Sequence, residues 1–157
     1  MPRHFRATTT GDGLRIGVAL ARFNQSVTDL LLAGTLDALA HHGVADDAID
    51  VATVPGAFEL PLCAQRLAAT GRYDALVCLG AVVRGETPHF DYVAAEAARG
   101  IAEVSRRHDL PVAFGVLTTD TIEQALARAG GERGNKGYEA AVTALEMVHV
   151  LRALHRY

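Results

Sequence analysis

Residues 75–83 of this chain form an unbroken apolar run, ALVCLGAVV. A strand with one face in water alternates apolar and polar side chains. A continuous apolar run bounded by turn residues instead reads as a strand buried on both faces, as in a parallel sheet. The run then turns abruptly polar, through Arg84, Gly85, Glu86, Thr87, Pro88 and His89, and opens into a long helical pattern. A buried strand that ends in a glycine-containing turn and leads into a helix is a favourable place for a site. The free backbone N–H groups and the helix dipole there attract an anion. A histidine at the mouth of such a turn can move protons near neutral pH.

The rest of the chain repeats the unit. Residues 14–21 (LRIGVALA) read as a first strand. Asn24 or Ser26 can cap a helix running to about Gly43, with Val27, Leu31, Leu32, Leu36 and Leu39 as its buried stripe. A second strand is expected over 49–54 and a second helix over 58–69. The third strand spans 73–83 and the third helix 89–108, with Val93, Ala97, Ile101 and Val104 inward. A fourth strand follows over 111–117, and a short helix over 121–129 is stopped by Gly130 and Gly131. A loop over 130–137 leads to a last helix from Tyr138 to about His155. Four alternations of strand and helix mean a parallel sheet with right-handed crossovers and helices on both faces. No G-x-G-x-x-G follows a strand; Gly11-Asp12-Gly13 precedes the first one.

With 157 residues, half of them apolar, the chain is one domain with a sizeable core, residues 1–13 forming a loose arm. A net charge of −3 without a basic stripe argues against nucleic acid as a partner. No apolar run is long enough to span a bilayer, and the N-terminus lacks the apolar core of a secretory signal. Cys63 and Cys78 fall in a predicted helix and a predicted buried strand, which fits reduced, packed thiols in the cytoplasm. No His/Cys/Asp/Glu cluster has the spacing of metal ligands.

Ligands of parallel α/β sheets bind beyond the carboxyl ends of the strands. Four polar–aromatic clusters are expected to converge there: Arg22-Phe23-Asn24, Pro55 to Glu59, Arg84 to His89, and Thr118-Thr119. Each has a plain reading beside a functional one. Phe23 can cap the core or stack on a flat heterocycle. Glu59 can serve the dipole of the helix it opens or accept hydrogen bonds from a chain of hydroxyls. Arg84 can simply pair with a surface carboxylate. Glu86 and Thr87 suit a first helical turn, and the backbone over 85–87 suits a phosphate better than those side chains do. His89 can be a surface histidine or a proton shuttle. Arg128, Asn135 and Lys136 surround the glycine-rich stretch 130–137. They can be solvated, or can bring positive charge to a phosphate, from a neighbouring subunit if their own pocket is out of reach.

Taken together, ARFN (21–24), VPGAFELP (54–61), GAVVRGETPHFDYV (80–93), FGVLTT (114–119) and AGGERGNKGYEAA (129–141) resemble the lumazine synthase family, in order and spacing over nearly the whole chain. The resemblance implies a three-layer α/β/α sandwich with a flavodoxin-like four-stranded parallel sheet of order 2-1-3-4. It implies condensation of 5-amino-6-(D-ribitylamino)uracil with 3,4-dihydroxy-2-butanone 4-phosphate, the penultimate step of riboflavin biosynthesis, with no cofactor or metal. Position by position, it implies Phe23 stacked on the pyrimidine. Ala57, Phe58 and Glu59 hold the ribitylaminouracil, and the backbone of Ala81, Val82 and Val83 reads the uracil edge. Gly85, Glu86 and Thr87 bind phosphate, and His89 is the general acid/base. Phe114, Lys136 and the phosphate-binding Arg128 come from the adjacent subunit. It further implies a homopentamer, either alone or, as in some family members, as one of twelve in an icosahedral shell, with riboflavin synthase as a candidate partner. Other readings are a pocket that binds a flavin or lumazine without turnover, a shell-forming or carrier protein, and a flavodoxin-like electron carrier.

Overall fold

A computed structural model describes residues 1–156. The chain runs β1 (Ile16–Ala21), α1 (Gln25–His41), β2 (Ile49–Val54), α2 (Leu60–Ala69), β3 (Ala75–Val83), α3 (His89–His108), β4 (Val112–Thr119), α4 (Ile122–Ala127), β5 (Ala129–Gly131), β6 (Gly134–Asn135) and α5 (Lys136–His155). The first four strands form one parallel sheet of order β2-β1-β3-β4. The flavodoxin-like order and the helix layers on both faces are as expected. Among the described residues, no helix is long and apolar enough to cross a membrane.

Burial follows position in the sheet. Every residue of β1 is buried, and every residue of β3 except its last. Their uniformly apolar sequences are what two covered faces require. The edge strand β2 is half-exposed along its length, and β4 is exposed only at Phe114 and Thr118. Side chains of the central strands divide between two cores. Ile16, Val18, Leu20, Val77 and Leu79 pack with Leu31, Leu39 and Leu145 of α1 and α5. Ala19, Leu76, Cys78 and Val82 pack with Leu60 of α2 and Ala97 and Ile101 of α3. Burying each large aliphatic side chain contributes about 1.5–3 kcal/mol.

Both helix pairs approach closely at a glycine. A Cβ on Gly137 would strike the backbone of Leu31, and one on Gly100 would lie 2.6 Å from the Pro61 ring. The first contact explains why α5 starts earlier than the sequence suggests. Gly137 looks like the end of a loop but is a helical residue at the α1–α5 crossing. Asn135 caps the helix by accepting from Tyr138 N–H at 3.0 Å, and its amide donates to Leu30 O at 3.0 Å. The stretch expected as a loop over 130–137 is thus a small antiparallel hairpin, β5–β6, followed directly by α5.

Two further expectations change. On α1 the buried face includes Thr28, Gly34, Thr35 and Ala38, while Leu32 and Leu36 are only half-buried. The N-terminal arm is fastened at its root. Gly11 N–H donates to His42 O at 2.7 Å, His42 Nδ1 meets Thr9 Oγ1 at 3.1 Å, and His149 Nε2 meets Thr10 O at 2.7 Å. These two histidines hold the chain's entry to β1.

Candidate active site

The parallel register brings the carboxyl ends of β2, β1 and β3 to one edge, where Ala21 lies level with Val54. Beyond β1 the backbone continues the ladder for two residues: Arg22 N–H donates to Val54 O at 2.9 Å and Phe23 N–H to Pro55 O at 3.1 Å. Phe23 then projects outward, 69% exposed. Beyond β2, Pro55 and Gly56 lead into a single 3₁₀ turn, Ala57–Glu59, with Ala57 buried beneath and Phe58 exposed. Ala81 and Val82 at the end of β3 are buried, and Val83 is half-buried.

After β3 comes the polar turn. Arg84 N–H donates to Thr119 O at 2.8 Å, tying β3 to β4. The Arg84 side chain bonds Asp120 at 2.9 Å, approaches Asp91 at 3.5 Å, and lies over the Phe90 ring at 4.3 Å. The Asp120 hydrogen bond, above all, raises its pKa. The plain reading of Arg84, a surface ion pair, is what the structure shows. Gly85, Glu86, Thr87 and Pro88 are exposed, and His89 is the first residue of α3. Pro88 itself brings no side-chain cap to that helix; Thr87 Oγ1 accepts from His89 N–H at 3.4 Å, and Pro88 O from Asp91 N–H at 3.0 Å. The first turn of α3 is therefore open to an external acceptor.

These pieces enclose a concavity of about 750 Å³. Phe23, Ala57, Phe58, Glu59, Ala81, Val82, Val83, Gly85, Thr87 and His89 all line it; Glu86 does not. Its size suits a small-molecule ligand. Its walls are aromatic and aliphatic, with the Glu59 carboxyl and the His89 imidazole among its few polar groups. Asn24, Phe90, Tyr92 and Val93 also line it. Asn24 had read both as a helix cap and as part of the cluster after β1, whereas Tyr92 could have been found from its place one turn beyond His89.

The fourth cluster does not join the other three. Thr118 and Thr119 line a second concavity of about 510 Å³, with Phe114, Arg128, Arg133, Lys136 and Glu139. The reason is the strand order: β4 is the far edge, and β3 stands between it and the ends of β1 and β2. Three cations against one carboxylate make this second surface attractive to an anion. Arg128 Nη1 donates to Gln124 O at 3.0 Å, and Lys136 opens α5 beside it, its N–H donating to Arg128 O at 2.8 Å. The sequence grouped Arg128 and Lys136 correctly but passed over Arg133.

Neither cysteine offers a nucleophile. Burial, and then the neighbouring Cys63, push the Cys78 thiol up to about 12; burial also raises Cys63. Both are free and protonated at neutral pH.

The sequence model of the 6,7-dimethyl-8-ribityllumazine synthase family matches residues 13–152. The chain belongs to this family. All five blocks that carried the lumazine synthase resemblance lie inside the matched span. A 6,7-dimethyl-8-ribityllumazine synthase of Desulfatibacillum aliphaticivorans is 58% identical over 150 residues, which are 96% of this chain and 97% of that one. The lumazine synthase match takes in both concavities, from Phe23 to Glu139.

Proposed function

We propose that this chain condenses 5-amino-6-(D-ribitylamino)uracil with 3,4-dihydroxy-2-butanone 4-phosphate, giving 6,7-dimethyl-8-ribityllumazine, phosphate and water. The observation that carries the reading, given the family, is the first concavity. It has an aromatic wall, a carboxylate and a histidine beside the uncapped start of a 20-residue helix. Phe23 stacks on the pyrimidine ring. Glu59 accepts from the ribityl hydroxyls, and the backbone over Ala81, Val82 and Val83 meets the uracil edge. The turn at Gly85, Glu86 and Thr87 receives the phosphate through its N–H groups, with the dipole of α3 favouring its charge.

The chemistry asks little more of the protein than position and protons. The free amine attacks the ketone carbonyl, and loss of water leaves an imine. A proton is then taken from the adjacent carbon as phosphate departs. The enol this leaves tautomerises to a new ketone, and the second amine closes the ring on that carbonyl, releasing a second water. His89 moves the protons, and Arg128 neutralises charge on the leaving phosphate.

Arg128, Lys136 and Phe114 line a different concavity from His89. The reading therefore places them in the neighbouring subunit's site, within a pentamer. Its protonated free thiols suit the cytoplasm.

The test mixes the protein with both substrates and follows the fluorescent lumazine against a protein-free control. The expected result is a protein-dependent rate that falls about 100-fold or more in His89→Ala, the scale of a lost general acid–base. No acceleration by a folded, assembled protein would overturn the reading.

A further inference from the structure

Asn24 stands at the N-cap of α1 and does not cap it. An asparagine there ordinarily accepts a hydrogen bond from an N–H of the first turn. Here its side chain makes none to the helix. Its amide Nδ2 instead donates to Ala81 O, at the end of β3, over 2.9 Å. The acceptor is a carbonyl, so only the NH₂ end of the amide can face it. The backbone of Asn24 is also left-handed, at φ 62° and ψ 49°; among the described residues only Asp109 shares a positive φ without being glycine. Asparagine tolerates that region better than most side chains, but it is still an uncommon state. An outlier held in place beside a site is a reason to ask what it holds.

What it holds is the turn that carries Phe23. On the β2 side the turn is fixed by backbone, through Arg22 N–H to Val54 O and Phe23 N–H to Pro55 O. On the β3 side it is fixed by the Asn24 amide. The left-handed residue reverses the chain immediately after Phe23, leaving that ring outside the core. The same amide grips Ala81, the first residue of the segment that faces the uracil edge. One side chain thus connects the two surfaces between which a flat ring would lie, and it lines the concavity itself.

We propose that Asn24 is a positioning residue for the pyrimidine substrate, setting the spacing between the Phe23 ring and the β3 backbone. This rests on the function proposed above. Two substitutions separate positioning from folding. Asn24→Gly keeps the left-handed turn at no steric cost and deletes the amide. Asn24→Asp keeps an acceptor and adds a charge that suits a helix N-terminus, but sets a carboxylate oxygen against Ala81 O.

The measurement is steady-state kinetics with each substrate varied in turn, beside thermal unfolding. Both variants should raise KM for the ribitylaminouracil about tenfold, the worth of one well-placed hydrogen bond. KM for the phosphorylated ketone should stay within about twofold, and Asn24→Asp should unfold at no lower temperature than wild type beyond a few degrees. KM values unchanged in both variants, a parallel rise for both substrates, or loss of the folded protein in both would each overturn the positioning role. A wild-type chain that fails to accelerate the condensation would instead overturn the proposed function, and this inference with it.

Discussion

Cys78 has no exposed surface at the middle of β3, and its thiol holds its proton to about pH 12. In the unfolded chain it would titrate near its ordinary value of 9.0. The folded state thus binds the proton more tightly. Its contribution to stability is complete below pH 9 and is lost as the pH rises towards 12. We expect Cys78 to resist iodoacetamide at pH 8 in the native protein and to react once the protein is unfolded in urea. Mass spectrometry of peptides labelled under both conditions checks this, and native labelling of Cys78 would contradict its burial. At this scale the sequence was readable wherever a residue's type matches its environment. A cysteine inside an apolar run is buried, whereas Phe23, left open between capping the core and facing outward, is exposed and lines the first concavity. It was unreadable where a residue departs from its usual task. Asn24 sits at a cap position and serves another strand, which only the three-dimensional juxtaposition of residues 24 and 81 reveals.

Among the elements, the four main strands and α3 were legible because long apolar runs and helical periodicity are local signals. β2 spans the expected 49–54 and α3 the expected 89–108. The hairpin β5–β6 was not legible, since strands of three and two residues carry no period and depend on the chain around them. The start of α5 was missed for a related reason. Glycine disfavours a helix by about 1 kcal/mol, so Gly137 read as loop, whereas the crossing with α1 demands it there. Thr35 Oγ1 donates to Gly137 O at 2.9 Å, so the two helices are bonded as well as packed at this point. Gly137→Ala should therefore destabilise the protein by about 1–3 kcal/mol, as overpacked sites do, despite alanine's better helix propensity. Denaturant unfolding measures it. An unchanged or raised midpoint would mean that α1 and α5 do not meet so closely.

For the whole molecule, alternation of strands and helices predicted the layers, and the family motifs predicted the strand order. What the strand-end reading missed is that the edge bearing the strand ends is divided. Three of the four clusters build the concavity with His89, and the β4 end turns to the one with Arg128. A parallel sheet's carboxyl edge is a single line in sequence reasoning, but the order β2-β1-β3-β4 sets β4 apart from the strands that hold Phe23 and Glu59. His89 and the cations Arg128 and Lys136 thus lie on separate surfaces of one chain, and under the proposed function a second copy completes the site. The most direct test is complementation between His89→Ala and Arg128→Ala, each purified and then unfolded and reassembled together in equal amounts. Each variant alone should be nearly inactive. By random mixing, about a quarter of the shared sites would join an intact His89 to an intact Arg128, restoring about a quarter of the wild-type rate. A mixture no more active than its two components, in oligomers shown to contain both, would contradict a site shared between subunits.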